Sequence, residues 1–238
     1  MNGQQNDTTF IITCEHGGNR IPAPYRRLFR GRGALLDSHR GYDPGALAMA
    51  RAFARAFRAP LVASTVSRLV IDLNRSLGHP QLFSAATRAA PAAVREEIVA
   101  RCYDPYRAQV ERLVGQAVSR GRRVIHISSH SFTPVLEGKV RRADVGLLYH
   151  PARPAEVGLC ARWKAALAAL APELRVRRNY PYAGKGDGLT SYLRLRFAQG
   201  AYLGIELEIN QSIVLAAGRR WTALRRVLVD TLRTASAA

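Results

Sequence analysis

Short runs rich in β-branched and aromatic residues alternate with longer amphipathic stretches from Phe10 to Thr234. This alternation leaves few architectures open, because strands separated by helical crossovers form a mostly parallel or mixed sheet covered by helices on both faces. A three-layer α/β sandwich is therefore expected. Strands are expected at Phe10–Cys14, Leu61–Ser64, Arg68–Leu73, Val124–Ser128, Asp144–Tyr149, Val176–Arg178 and Tyr202–Ile209. After Asp43-Pro44, read as N-cap and first helical residue, Leu47, Ala50, Phe53, Ala54 and Phe57 recur at helical spacing up to Arg58. Further helices are expected over Pro91–Arg120, with a break near Asp104-Pro105, and over Ala155–Ala171, Leu189–Ala198 and Ile213–Thr234. No repeat or composition break divides the chain, so residues 1–238 are read as a single domain.

Charge bears on partners. The chain has 36 Lys and Arg against 17 Asp and Glu, a formal +19, and only Lys139, Lys164 and Lys185 are lysines. The arginines spread over almost every expected helix and form no stripe with interleaved aromatics, which argues against a nucleic-acid partner. An electropositive cleft for small carboxylates is the more economical use of the charge. No apolar run reaches membrane-spanning length, and the polar start Met1–Thr9 lacks signal-peptide character, so a cytoplasmic protein without a membrane partner is expected. Cys14, Cys102 and Cys160 have neither even pairing nor CxxC spacing, against a disulfide framework or a cysteine zinc site.

In open α/β sheets ligands sit beyond the carboxyl ends of the strands. Reactive side chains cluster there in this sequence: His16 after the first strand, Asp72, Asn74 and Arg75 after another, His130 after Val124–Ser128, and Glu206 and Glu208 on the last. The strings CEHGGNRIP, HRGYDPGA, SRLVIDLNR, HSFTP, ADVGLLY, NYPYAGKGDG and ELEIN occur in this order from Thr13 to Asn210. Together they resemble the N-formylglutamate amidohydrolase family, whose fold is similar to that of the zinc carboxypeptidases. The resemblance implies a zinc-exopeptidase-like fold and metal-assisted hydrolysis of an N-acyl amino acid. The first motif reads Glu15-His16-Gly17-Gly18 where the histidine-utilisation enzymes of the family tend to have Pro-His-Ser-Gly, which marks a divergent branch.

Catalytic zinc takes three protein ligands and leaves a fourth position for water. Within the resemblance, His16, Asp43 and His130 are the expected ligands of Zn²⁺ or another divalent ion. Carboxypeptidase spacing would place a carboxylate at position 19, which is Asn19 here. Asp43 is the chosen substitute, with a plain helix cap as its alternative, and Glu15 is the second choice of ligand. Glu208 is assigned the general base and acid role, and Glu206 an arginine pairing. Asn74 and Arg75 are expected to grip the substrate's α-carboxylate, with Asp72 orienting the arginine. Arg68 would bind a side-chain carboxylate, polarise the scissile carbonyl, or serve as a structural ion-pair partner. Tyr182, in the Gly-rich segment 179–188, belongs to a mobile substrate-binding lid or a solvated loop.

Two other readings stay open. Cys14 and His16 lie two apart and could form a thiol amidase. An arginine-rich binding protein on an inactive hydrolase scaffold would be non-enzymatic. A serine hydrolase is disfavoured because no G-x-S-x-G elbow exists.

Overall fold

The computed structural model describes residues 8–216 and 218–237. The reading of the chain's start therefore lies, apart from Thr8 and Thr9, outside the described residues. In chain order the main elements are β1 (Thr8–Cys14), α1 (Ala46–Phe57), β2 (Leu61–Ala63), α2 (Ala92–Ile98), α3 (Asp104–Ser119) and β3 (Arg123–Phe132). There follow the hairpin strands β4 (Val135–Leu136) and β5 (Lys139–Val140), then β6 (Val145–Leu148), α4 (Pro154–Leu170), β7 (Val176–Arg178), α5 (Leu189–Arg196), β8 (Tyr202–Asn210), α6 (Gln211–Leu215) and α7 (Gly218–Ala237).

The six-stranded sheet has the order β2-β1-β3-β8-β6-β7. Its first four strands are parallel, and β6 runs antiparallel to β8 while pairing in parallel with β7. The sheet is mixed and mostly parallel, as expected. Alternate side chains point to opposite faces. On one face Ile12, Ile127 and Ile205 meet Met49 and Phe53 of α1, Trp163 of α4 and Leu228 of α7. On the other, Ile11, Val124 and Tyr202 pack with Ile98 of α2, Val110 and Val114 of α3 and Leu193 of α5. These two apolar interfaces make the three layers.

Several local expectations change. Arg68–Leu73 is not a strand. Its backbone bonds to turns and loops: Arg68 N donates to the Gly41 carbonyl, Val70 N to that of Ser67 and Asp72 N to that of Leu82. Leu69, Val70, Ile71 and Leu73 are buried all the same, in the second core. An apolar run of this length reads alike as buried strand or buried coil. Helix α1 begins two residues after Pro44, with Gly45 as its cap. The break near Asp104-Pro105 appears as a π-helical turn over Val99–Tyr103, where the proline removes a backbone donor. Strand β3 runs on to Phe132, so His130 lies within the strand and not after it.

Candidate active site

One sheet face changes from apolar to polar as it nears the carboxyl edge. In β3, Val124 packs in the core, whereas His126, Ser128 and His130 follow on the same face. His126 closes the core layer. Its ring nitrogens contact Thr13 Oγ1 at 2.8 Å and the Tyr202 hydroxyl at 2.7 Å, and burial lowers its pKa to about 4. One step further, His130 pairs in register with Glu208, and Ser128 with Glu206. The turn after β1 supplies His16, and the loop before α1 supplies Asp43, whose backbone N–H donates to the His16 carbonyl.

His16, Asp43 and His130 are buried, and one ligand atom from each lies within 4.8 Å of the others. The Nδ1 atoms of His16 and His130 converge on Asp43 Oδ2 at 3.3 and 2.9 Å. Each opposite ring nitrogen is held by a further carboxylate. His16 Nε2 lies 2.7 Å from Asp72 Oδ1, and His130 Nε2 lies 3.0 Å from Glu15 Oε2. Ser128 and Tyr106 donate to Glu15 at 2.6 and 2.8 Å, which fixes that carboxylate behind the histidine. Imidazoles tied from behind by carboxylates, with the opposite nitrogens converging, are the arrangement that orients metal-binding histidines. The donor set of two nitrogens and one carboxylate oxygen suits zinc.

The structure thus brings the three expected ligands together and corrects two alternatives. The Asp43 side chain makes no helix-cap bond. Glu15 supports His130 from the side remote from Asp43 and stands outside the cluster.

Burial alone would raise the Asp43 carboxyl, but His16, His130 and Arg68 hold it well below the ordinary range. Glu15 behaves likewise: burial opposes ionisation, and His130, Ser128 and Thr13 overcome it. Burial would also lower His130, yet Asp43 and Glu15 raise it well above its usual value. Asp72 opposes its own burial by pairing with Arg68 and His16, which leaves it far below the usual carboxylate range.

Glu208 differs from all of these. It is buried, and its Oε2 finds no hydrogen-bond partner among the described residues. Burial, reinforced by Asp43 and Glu206 and opposed by His130 and Arg68, raises its carboxyl to about 8. A carboxyl near neutrality beside two converging imidazoles can take up or release a proton at working pH. Glu206 accepts from Thr190 Oγ1 at 2.7 Å, so the arginine pairing expected of it is replaced by a threonine bond.

His16, Asp43, His130, Glu206 and Glu208 line a cleft of about 560 Å³ together with His39, Arg68, Asn74, Arg75, Gln81, Phe132, Tyr182 and Asp187. Its charge is mixed: Arg68 and Arg75 share it with Asp43, Asp187, Glu206 and Glu208. The electropositive cleft expected for small carboxylates is thus lined by acidic as well as basic side chains.

Asp72 does not orient Arg75. It receives Arg68 Nε and Nη2 at 3.2 and 2.8 Å, while Arg68 Nη1 reaches Asp43 Oδ1 at 3.3 Å. Arg68 is therefore an ion-pair partner that braces two carboxylates of the site. Arg75 instead donates from Nη1 to the Asp187 carbonyl at 3.0 Å. Asn74 Nδ2 lies 3.5 Å from His130 Nε2, and its Oδ1 accepts the Leu189 N–H at 2.7 Å.

Segment 179–188 forms one wall of the cleft and is tied down at Asn179 and Gly184. Asn179 Oδ1 accepts the N–H groups of Tyr149 and Gly184, and Arg194 Nη1 donates to the Gly184 carbonyl at 2.6 Å. A Cβ at Gly146 would collide with the Tyr180 carbonyl, and one at Gly184 with the Tyr149 backbone, so these contacts exist only because both residues lack side chains. Tyr182 stands on this wall with its hydroxyl 3.0 Å from Arg141 Nη1.

The thiol reading meets a physical obstacle. Cys14 is fully buried among α1 residues, and burial first, then Glu15 and Asp43, push its thiol well above the ordinary value. A nucleophilic cysteine needs the opposite.

The family model for N-formylglutamate amidohydrolase matches residues 8–215. Comparison with curated proteins gives no match. Among solved structures, a gene product of Agrobacterium tumefaciens is 30% identical, covers 98% of this chain and 91% of its own, and superposes with a TM-score of 0.83. An N-formylglutamate amidohydrolase from Ralstonia eutropha JMP134 shares the fold at 22% identity and a TM-score of 0.70, over 98% of this chain and 95% of its own. A metallo-carboxypeptidase from Burkholderia cenocepacia is more remote, at 13% identity and a TM-score of 0.41 over 99% of this chain and 58% of its own. With a family model running from β1 to the end of α6, this chain belongs to the N-formylglutamate amidohydrolase family.

Proposed function

We propose that the chain, acting as one domain, is a divalent-metal hydrolase that cleaves the amide of N-formylglutamate or a closely related N-acyl amino acid. The observation that carries this reading is the pair of imidazoles converging on Asp43, each tied from behind by a carboxylate, beside a Glu208 oxygen with no partner. His16, Asp43 and His130 would hold Zn²⁺ or another divalent ion. Such an ion supplies Lewis-acid polarisation of water and of the scissile carbonyl.

The remaining work falls to the chain. Glu208 takes a proton from the attacking water as its oxygen bonds to the acyl carbon. The same carboxyl then delivers that proton to the departing nitrogen as the C–N bond breaks, giving the acid and the free amino acid. Arg75, with Asn74 beside it, receives the α-carboxylate and sets the amide over the site. Arg68 keeps Asp43 and Asp72 in place, and Tyr182 closes the rim.

Supporting carboxylates give one test. Glu15→Gln and Asp72→Asn are each expected to weaken zinc binding about 10- to 100-fold by releasing a ligand imidazole. Competition titration against a chromophoric chelator measures this, and wild-type affinity in both variants would contradict the ligand assignment.

The substrate class is tested through Arg75. A bidentate, charge-assisted contact is worth about 1.5–3 kcal/mol, so Arg75→Ala should lower kcat/KM on N-formyl-L-glutamate by roughly 10- to 150-fold. Arg75→Lys should recover only part of the loss, because it keeps the charge without the fork. The comparison uses the α-methyl ester of the same substrate. Equal treatment of acid and ester by both wild type and Arg75→Ala would show that the α-carboxylate is not read here.

A further inference from the structure

The substrate named by the family has two carboxylates, and Arg75 with Asn74 reads one. Arg68 lines the cleft too, but three of its five N–H groups are committed to Asp72 and Asp43. Arg75 is placed at the Asp187 side of the cleft.

Arg141 is differently situated. It follows β5, and its backbone is pinned from two directions: its N–H donates to the Pro134 carbonyl at 2.8 Å, and its carbonyl accepts Asn210 Nδ2 at 3.1 Å. The guanidinium lies over the Tyr182 ring, 5.0 Å from the centroid, and Nη1 donates to the Tyr182 hydroxyl at 3.0 Å. No acidic side chain pairs with it among the described residues. Tyr182 and His39 both line the cleft. The charge of Arg141 is felt at His39, whose pKa is lowered by burial first and then by Arg40, Arg141 and Arg68.

We infer that Arg141 and Tyr182 form a second carboxylate subsite that selects acyl amino acids with an acidic side chain. The inference rests on the proposed amidohydrolase reading and names a specificity determinant within it. Because the Tyr182 oxygen already accepts a hydrogen from Arg141, its own O–H is free to donate to a ligand. Arg141 keeps further N–H donors on a rigid fork. A carboxylate accepts from both residues. A side-chain amide of the same shape brings an NH₂ group against an array of donors, and that mismatch is what rejects it.

The test compares N-formyl-L-glutamate with N-formyl-L-glutamine, which present the same α-carboxylate to Arg75. Wild type should prefer the acid, and Arg141→Met should reduce that preference about 10- to 100-fold, chiefly through KM. Arg141→Lys should restore part of it. If wild type treats the two alike, or if Arg141→Met lowers both equally, the subsite is refuted. Calorimetric binding of L-glutamate and L-glutamine gives a readout that does not need turnover. A protein that hydrolyses neither substrate loses the proposed activity. The subsite then stands if wild type binds glutamate over glutamine and Arg141→Met loses that preference, and it falls if wild type binds both equally.

Discussion

Replacing Glu208 with Gln is expected to lower turnover by about 10²–10⁴-fold while zinc remains bound, the range typical of losing a positioned general acid and base. Gln fills the same space and keeps an acceptor, so the variant removes proton transfer and little else. The carboxyl sits at the His130 position of the β3–β8 register, yet its Oε2 has no partner among the described residues. A purely structural glutamate would be bonded there. The same variant carries a stability signature in metal-free protein. The Glu208 pKa is about 8 when folded, against an ordinary glutamate value when unfolded. Between those two values the unfolded chain ionises first, so Glu208 progressively destabilises the fold as pH rises through that window. Glu208→Gln should therefore be the more stable protein near pH 7, by on the order of 3–4 kcal/mol, and equal to wild type below pH 4. Chemical denaturation at both pH values measures the difference, and a less stable variant at pH 7 would assign Glu208 a structural role.

Asp43→Asn is expected to abolish activity and to weaken zinc binding by more than the loss expected for Glu15→Gln or Asp72→Asn. Asp43 Oδ2 is the atom on which both Nδ1 nitrogens converge, and Oδ1 receives Arg68. The substitution removes the anion from a buried cluster of His16, His130 and Arg68. Breaking a buried charge cluster from one side costs about 3–5 kcal/mol, so the metal-free variant should also be less stable. Because the folded Asp43 pKa is depressed, its contribution is present above the unfolded value and is lost as the pH falls towards the folded one. The stability gap between wild type and variant should accordingly narrow in acid. Wild-type zinc affinity in Asp43→Asn would remove Asp43 from the ligand set.

The sheet was legible in the sequence because β1, β3 and β8 are apolar runs that end in polar residues, and that ending marks the carboxyl edge where His16, His130 and Glu208 collect. The segment Arg68–Leu73 misled for a related reason. Its apolar residues are as buried as those of a strand, but burial comes from packing on the second core and not from a ladder. The partners of the ligands were harder to read. Glu15 and Asp72 stood out as carboxylates near the site, yet spacing along the chain cannot say that each would bind the rear nitrogen of a histidine 115 or 56 residues away. Asn210 illustrates the same limit. It completes the ELEIN string beside Glu208, but its amide clamps the carbonyls of Arg141 and Ala143 while its oxygen caps α6. Gln81 and Arg141 lie in no motif, and His39 opens the HRGYDPGA string without any sign in it that the residue faces the site. His39 and Gln81 line the cleft, and Arg141 meets its Tyr182, through loops whose course only tertiary packing determines.

Zinc titration of the metal-stripped protein, with release of formate from N-formyl-L-glutamate followed at each addition, addresses the metal site and the reaction together. No turnover is expected in chelator, then activity that rises in proportion to zinc and saturates at one ion per chain. Full turnover in chelator, by protein with no bound metal, would contradict the proposed metal dependence.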